Sequence, residues 1–240
     1  MSSFSGIVLV SGLGSRLRSE FLSGPKSMAS VASRPFLEYV LARMSVDGIK
    51  DVVLCVGYSR SHVHSHFNKG TKWGLELRYS EEKELLGNAG AVKRAARLID
   101  ATAPFVFNGN SFLDLDVRAM WDFHHSRRAL ATLALVSLTR PNGYTRISTD
   151  DRGAITSFNN DSSINANNPN HLVNAGTYLL SRQCIDLIPE GRPASIEKDI
   201  FPPLVGSGLY GFVTGGYFID IGLPDDLARA QHELPMRWKL

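Results

Sequence analysis

The sequence predicts an α/β fold of three layers, αβα, around a mixed, mostly parallel sheet. Continuously apolar runs of strand length recur in the first half, as "SGIVLVS", "DVVLCVG" and "APFVFNG". Segments of helical spacing separate them, and that alternation implies parallel pairing with both sheet faces covered. The second half is less regular and offers strands that can pair as a hairpin.

In chain order, "SGIVLVS" is a buried strand followed by a glycine-containing loop, Gly12 to Arg18. "RPFLEYVLARMSVDG" opens on Pro35 and ends at Gly48, with Phe36, Val40 and Met44 on one helical face. Strand "DVVLCVG", helix "SRSHVHSHFNKG", strand "LELRYS", helix "NAGAVKRAARLID" and strand "APFVFNG" complete the first half. "LATLALVSL" is the next strand, and "YTRIST" with "AITSF" forms a hairpin around Asp150 to Gly153. A polar loop, Asn159 to His171, leads to strand "VNAGTYLLS". Short helices are expected at Cys184 to Leu187 and Ser195 to Phe201, then strands "GLYGFVT" and "GYFIDIG". "PDDLARAQHEL" closes the chain as a helix with Pro224 in its first turn.

A chain of 240 residues supports one core, and no segment reads as a linker, so one domain is expected over residues 1–240. Hydrophobic residues at 43% and charged residues at 20% are those of an ordinary globular protein. The net charge of +3 comes from scattered Lys and Arg, which argues against a nucleic-acid partner. No apolar stretch reaches membrane-spanning length and no leader pattern opens the chain, so a cytoplasmic protein without membrane contact is expected. Cys55 and Cys184 lack CxxC spacing, and Cys55 reads as a buried, inert thiol.

In an open α/β sheet, ligands bind beyond the carboxyl ends of the strands. Four clusters are placed there or carry chemistry of their own. In "SGLGSRLRSEFLSGPKSM", Gly12 and Gly14 allow backbone amides close to phosphates, and Arg16 and Lys26 offer cations. The plain alternative is a turn with two solvated charges. In "EEKELLGNAGAVK", Gly87 and Gly90 flank Asn88 at a helix start, suited to anion or base contacts, or to Asn88 as a cap. In "FVFNGNSFLDLD" an apolar strand ends at the amide of Asn110, and carboxylates reappear only at Asp114 and Asp116. Those two read as anchors of the next segment, Asp116 capping a helix from Val117. In "GGYFIDIGLPDDLARAQ", Asp220 stands in an apolar strand and needs a cation or donors, as an ion pair or as a metal ligand.

The order "GLGSRLR", "GPKSMASVASRPFLEYVL", "LGNAGAVK", "NGNSFLDLD", "VNAGTYLL", "SIEKDIFPPL" and "FIDIGLPDDLARAQ" resembles the sugar-1-phosphate nucleotidyltransferases. Within them it is most similar to the D-glycero-D-manno-heptose 1-phosphate guanylyltransferases. The resemblance covers nearly the whole chain and implies a Rossmann-like fold, with a nucleotide half at about 1–115 and a sugar-phosphate half at about 116–240. It implies transfer of a nucleotidyl group from an NTP, GTP favoured, to a heptose- or mannose-type 1-phosphate, using Mg²⁺ or Mn²⁺. Homodimers are common in the family and are therefore allowed.

Carried over by position, Arg16 would hold the triphosphate and Lys26 would stabilise charge at the α-phosphate. Ser11, Gly12, Gly14, Glu82, Gly87, Asn88 and Asn110 would lie on the nucleotide side, and Asn174, Gly176, Glu197 and Lys198 on the sugar-phosphate side. Asp220 would be one metal ligand and Asn110 a weakened second. This chain departs from the family pattern at four places. Ser11 replaces a glycine, Ser27 replaces a proline after Lys26, and Asn110 replaces an aspartate. Asn159, Asn160 and Asp161 follow "ITSF" where a Glu-Lys pair is usual. These departures frame two other readings: a catalytically impaired, nucleotide-sugar-binding regulatory subunit, and a transferase for an unusual acceptor such as a cyclitol phosphate.

Overall fold

The computed structural model describes residues 4–10, 25–57, 60–82, 86–139, 141, 143–159, 171–222 and 224–238. Ser11, Gly12, Gly14 and Arg16 lie outside these residues, as does the polar loop apart from its two ends.

Strand β1 (Phe4–Leu9) is central because it is apolar on both faces. Ile7 and Val8 point to opposite sides, as the period of two requires, and enter two separate cores. A small two-residue ladder, β2 (Ser30–Val31) with β3 (Arg34–Pro35), precedes helix α1 (Phe36–Val46). Then follow β4 (Ile49–Val56), α2 (Arg60–Phe67), β5 (Glu76–Glu81), α3 (Gly87–Ala96) and β6 (Phe105–Asn108). β1 pairs in parallel with β4 and β6, and β4 with β5. α1 covers one face through Phe36, Leu37, Val40, Leu41 and Met44. α3 covers the other with Ala89, Ala91, Val92, Ala95 and Ala96, whose small side chains let it lie close to the sheet. Cys55 is buried against it, its Sγ 3.6 Å from the Ala91 carbonyl oxygen, and desolvation pushes that thiol well up. An inert thiol is what the sequence suggested.

The second half adds β7 (Ser111–Leu113), α4 (Val117–Ser126), β8 (Ala131–Leu138), β9 (Arg146–Thr149), β10 (Ile155–Asn159) and β11 (His171–Leu180). α5 (Arg182–Asp186), β12 (Leu209–Val213), β13 (Phe218–Asp220) and α6 (Pro224–Arg237) complete it. β9 and β10 form the expected antiparallel hairpin. β11 pairs antiparallel with β6, β8 and β9, and β12 pairs in parallel with β8. The main sheet therefore runs through both halves of the chain and is mixed but mostly parallel around β1.

Several expectations are refined. Asp116 caps α4 as foreseen, its Oδ1 accepting from the Ala119 N–H at 2.9 Å. Asp114 pairs with Arg43 at 2.6 Å, which ties the segment to α1. The helix expected at Ser195 to Phe201 is a single π-helical turn, Ile196–Ile200, capped by Ser195 and stopped before Pro202. α6 runs past Leu234 through Pro235. Its end is held by Trp238, which donates to the Leu234 carbonyl at 2.8 Å and packs on Phe112 and the Arg43 guanidinium. β2, β3 and β7 are too short to show a pattern of their own.

Candidate active site

β1 and β6 end side by side, and the chain turns at Gly109. The Gly109 N–H donates to the Leu9 carbonyl at 2.9 Å, and a Cβ there would stand 2.8 Å from that same oxygen. Only glycine lets the tip close on β1 in this way. Asn110 follows, and β7 then pairs antiparallel with β13, setting Ser111 opposite Asp220. The Ile221 N–H donates to the Asn110 carbonyl at 3.0 Å and fixes that register. Two residues 110 positions apart thus meet: Asn110 Nδ2 donates to Asp220 Oδ1 at 2.6 Å.

The same Oδ1 accepts from the Gly222 N–H at 2.8 Å, and Lys26 Nζ reaches the Gly222 carbonyl at 3.4 Å. Burial raises the Asp220 carboxyl above its usual range, opposed by the Gly222 N–H, the Lys26 charge and the Asn110 amide. Lys26 itself starts a 3₁₀ turn, Lys26–Met28, after Pro25. Ser27 is buried, with its hydroxyl 3.5 Å from the Val10 carbonyl. The turn's own bonds, Met28 N–H to Pro25 O and Ala29 N–H to Lys26 O, do the holding that a proline would otherwise share.

Among the described residues no three His, Cys, Asp or Glu side chains gather to hold a metal ion. A magnesium ion needs fewer protein ligands than that, because it keeps waters and takes substrate phosphates with one or two carboxylates. Asp220 is one such carboxylate, and the Asn110 amide turned about its last torsion offers an oxygen beside it. The donor set fits a divalent ion that arrives with a phosphate substrate.

A second group forms at the start of α3. Gly87 has φ +70°, and a Cβ on it would sit 2.3 Å from the Ala194 carbonyl oxygen. Leu86, not Asn88, occupies the cap position of α3. Asn88 is the second helical residue and bridges outward instead. Its Nδ2 donates to Glu197 Oε2 at 2.8 Å, and its Oδ1 accepts from the Ile196 N–H at 2.9 Å. Ser195 Oγ donates to the same Glu197 oxygen at 3.0 Å. The Tyr178 hydroxyl donates to Glu197 Oε1 at 2.9 Å and accepts from Asn174 Nδ2 at 2.9 Å. Asn174 Oδ1 in turn accepts from the Gly176 N–H at 2.8 Å, at a bulge where Gly176 has φ +72°.

Asn88, Glu197, Asn174 and Gly176 are therefore one connected network. Lys198 is exposed on the π turn beside them, and Glu82 is half-buried at the end of β5, its N–H on the Val56 carbonyl at 3.1 Å. Tyr178 was not anticipated. The available signal was a tyrosine inside an otherwise apolar strand, four residues after Asn174, whose buried hydroxyl must find partners. Tyr144 was missed as well. Its ring packs edge-on against Phe218 with centroids 6.0 Å apart. Burial and then the Asp220 charge raise its phenol well above the ordinary value.

Residues 5–236 match the family described as nucleotidyl transferase, and the chain belongs to that family. It is 35% identical over 231 residues to the mannose-1-phosphate guanylyltransferase of Mycobacterium tuberculosis, covering 95% of this chain and 64% of that protein. It is 34% identical over 230 residues to the D-glycero-alpha-D-manno-heptose 1-phosphate guanylyltransferase of Aneurinibacillus thermoaerophilus, covering 95% and 97% respectively. Among solved structures it resembles HddC from Yersinia pseudotuberculosis complexed with GMP-PN, with TM-score 0.84 and 27% identity over 96% of this chain and 99% of that one. No helix among the described residues is long and apolar enough to cross a membrane.

Proposed function

We propose that this chain is a guanylyltransferase that joins GTP to a mannose- or heptose-type 1-phosphate and releases pyrophosphate. The observation that carries the proposal is the end-to-end likeness to a heptose 1-phosphate guanylyltransferase of similar length, together with the meeting of Lys26, Asn110 and Asp220 at one strand-end cleft. In the reaction an oxygen of the sugar phosphate attacks the α-phosphorus in line. The new P–O bond forms as the bond from that phosphorus to the α,β-bridging oxygen breaks, and pyrophosphate leaves with the electron pair.

Such a reaction asks the protein for positioning and charge neutralisation more than for covalent help. On this reading Ser11, Gly12, Gly14 and Arg16 bind the triphosphate, and Lys26 offsets charge at the α-phosphate. Gly87 lies under the base with Asn88 and Glu82 beside it, the lack of a Cβ letting the Ala194 backbone close against the α3 start. Asn174, Gly176, Glu197 and Lys198 serve the sugar phosphate, with Glu197 positioned from three sides by Asn88, Ser195 and Tyr178. Asp220, with Asn110, would hold Mg²⁺ or Mn²⁺, which when bound neutralises phosphate charge and polarises the P–O bonds.

The test is a matrix of each NTP against mannose, glucose and heptose 1-phosphates with Mg²⁺ or Mn²⁺, read by pyrophosphate release. GTP with mannose or heptose 1-phosphate is expected to give the highest kcat/KM. Pyrophosphate release from none of the pairs, beside a working relative, refutes the assignment. A cyclitol phosphate in the same matrix tests the unusual-acceptor reading.

A further inference from the structure

The carboxylate of Glu197 takes donors from three parts of the chain. Asn88 Nδ2 and Ser195 Oγ both donate to its Oε2, at 2.8 and 3.0 Å. The Tyr178 hydroxyl donates to its Oε1 at 2.9 Å. The direction of that last bond is fixed, because the Tyr178 oxygen already accepts from the amides of Asn174 and Asn108. With those bonds made, its proton goes to Glu197 and Tyr178 has nothing left for a substrate. A carboxylate offers about four acceptor positions, shared between its two oxygens. Among the described residues three are filled in Glu197, and the one left over is on Oε1. Glu197 is half-buried, so that position is not sealed in the core.

Asn88 comes from the start of α3, and the backbone fastens that start to the segment carrying Glu197. The Ala89 N–H donates to the Ala194 carbonyl at 3.1 Å, and the Ala194 N–H donates to the Leu86 carbonyl at 3.0 Å. Asn88 completes the junction with both ends of its amide. Its Oδ1 accepts from the Ile196 N–H at 2.9 Å while its Nδ2 holds Glu197. One planar group thus grips the π turn and the carboxylate in a fixed relation. The tilt of the carboxylate follows from that grip, and with it the direction in which the free Oε1 position points. A sugar hydroxyl has the proton to fill such a position, whereas an ionised phosphate oxygen has none.

We propose that Asn88 is a positioning residue that sets acceptor specificity, holding Glu197 so that its one free acceptor position takes a single hydroxyl of the sugar 1-phosphate. This rests on the reaction proposed above and names the residue through which its acceptor is selected. The test is calorimetric titration of mannose 1-phosphate and its monodeoxy analogues into the protein saturated with an α,β-methylene analogue of GTP, so that binding is read without turnover. In the natural chain the analogue lacking that hydroxyl should bind about 10- to 100-fold more weakly, the cost of a hydrogen bond to a charged group. In Asn88→Ala that one gap should close to within about threefold, with the other gaps and the GTP-analogue affinity kept within about threefold of the natural values. Asn88→Asp keeps the acceptor for the Ile196 N–H but sets a second carboxylate against Glu197. Its mannose 1-phosphate affinity, relative to the natural chain, should therefore recover several-fold from about pH 8 to about pH 5.5 as the pair takes up a shared proton. Deoxy gaps that all persist in Asn88→Ala overturn the assignment and leave the reaction standing. Gaps that all shrink together with the GTP-analogue affinity make Asn88 merely structural and overturn it too, as does an Asn88→Asp ratio that ignores pH. A natural chain that binds the GTP analogue but no mannose or heptose 1-phosphate overturns assignment and acceptor together.

Discussion

Asn110→Asp is the most informative substitution, because one oxygen replaces one amide nitrogen at a defined contact. In the natural chain Asn110 Nδ2 lies 2.6 Å from Asp220 Oδ1 and donates to it. An aspartate there removes the donor and places two carboxylates against each other. With charge centres about 4 Å apart, their repulsion is roughly 4 kcal/mol at an effective dielectric near 20. Side-chain rotation and proton sharing relieve part of that. The metal-free variant is therefore expected to lose about 1–3 kcal/mol of stability, which lowers its melting temperature by roughly 2–4 °C per kcal/mol in a chain of this size. A divalent ion sees the opposite sign. The added charge should tighten Mn²⁺ binding at least about tenfold. Thermal melts in EDTA and in Mg²⁺, with Mn²⁺ titration followed by electron paramagnetic resonance, measure both effects without turnover. Equal metal-free melting and equal Mn²⁺ affinity in the two proteins would refute the placement of Asn110 at the ion site.

Two further outcomes follow from the interior. Tyr178→Phe leaves Asn174 without its acceptor and Glu197 Oε1 without its donor, so urea unfolding should show a loss of about 1–3 kcal/mol, and a change under about 0.5 would sink the network as described. His124 is buried beside Thr132, and desolvation lowers it to about 4. Its folded value lies below the unfolded one near 6.5, so the unfolded chain binds more protons between these two values. Stability from this group is thus full above about pH 6.5 and falls as pH drops towards 4, by ~3 kcal/mol in all. Unfolding free energies of the natural chain and His124→Gln should diverge over that window, and parallel curves would contradict the assignment.

What the sequence revealed depended on whether the cause was local. Continuous apolar runs marked β1, β4 and β6 because strands buried on both faces need no alternation. Asp116 announced α4 because a cap acts within three residues of itself. The pairing of β7 with β13 was invisible, since each is three residues long and the partner lies more than a hundred positions away. The approach of Asn110 to Asp220 was legible only through family resemblance. Asn88 shows the opposite limit. Its position at a helix start suggested a local cap, but the Glu197 carboxylate and the Ile196 N–H, both over a hundred residues on, claim its side chain. Tyr178 was hidden in the same way, as an apolar-looking strand residue whose polar end matters.

The amide at position 110 bears on the charge balance of the site. Two aspartates would give the cleft two formal negative charges against Lys26, and a bound divalent ion would be needed before polyanionic substrates could enter. With Asn110 the described pair reduces to Asp220 and Lys26, which cancel formally. The amide satisfies Asp220 without an ion, which keeps β7 and β13 in register when no metal is bound. A cleft arranged in this way still admits a divalent ion with the triphosphate, but it does not need one to hold its own shape.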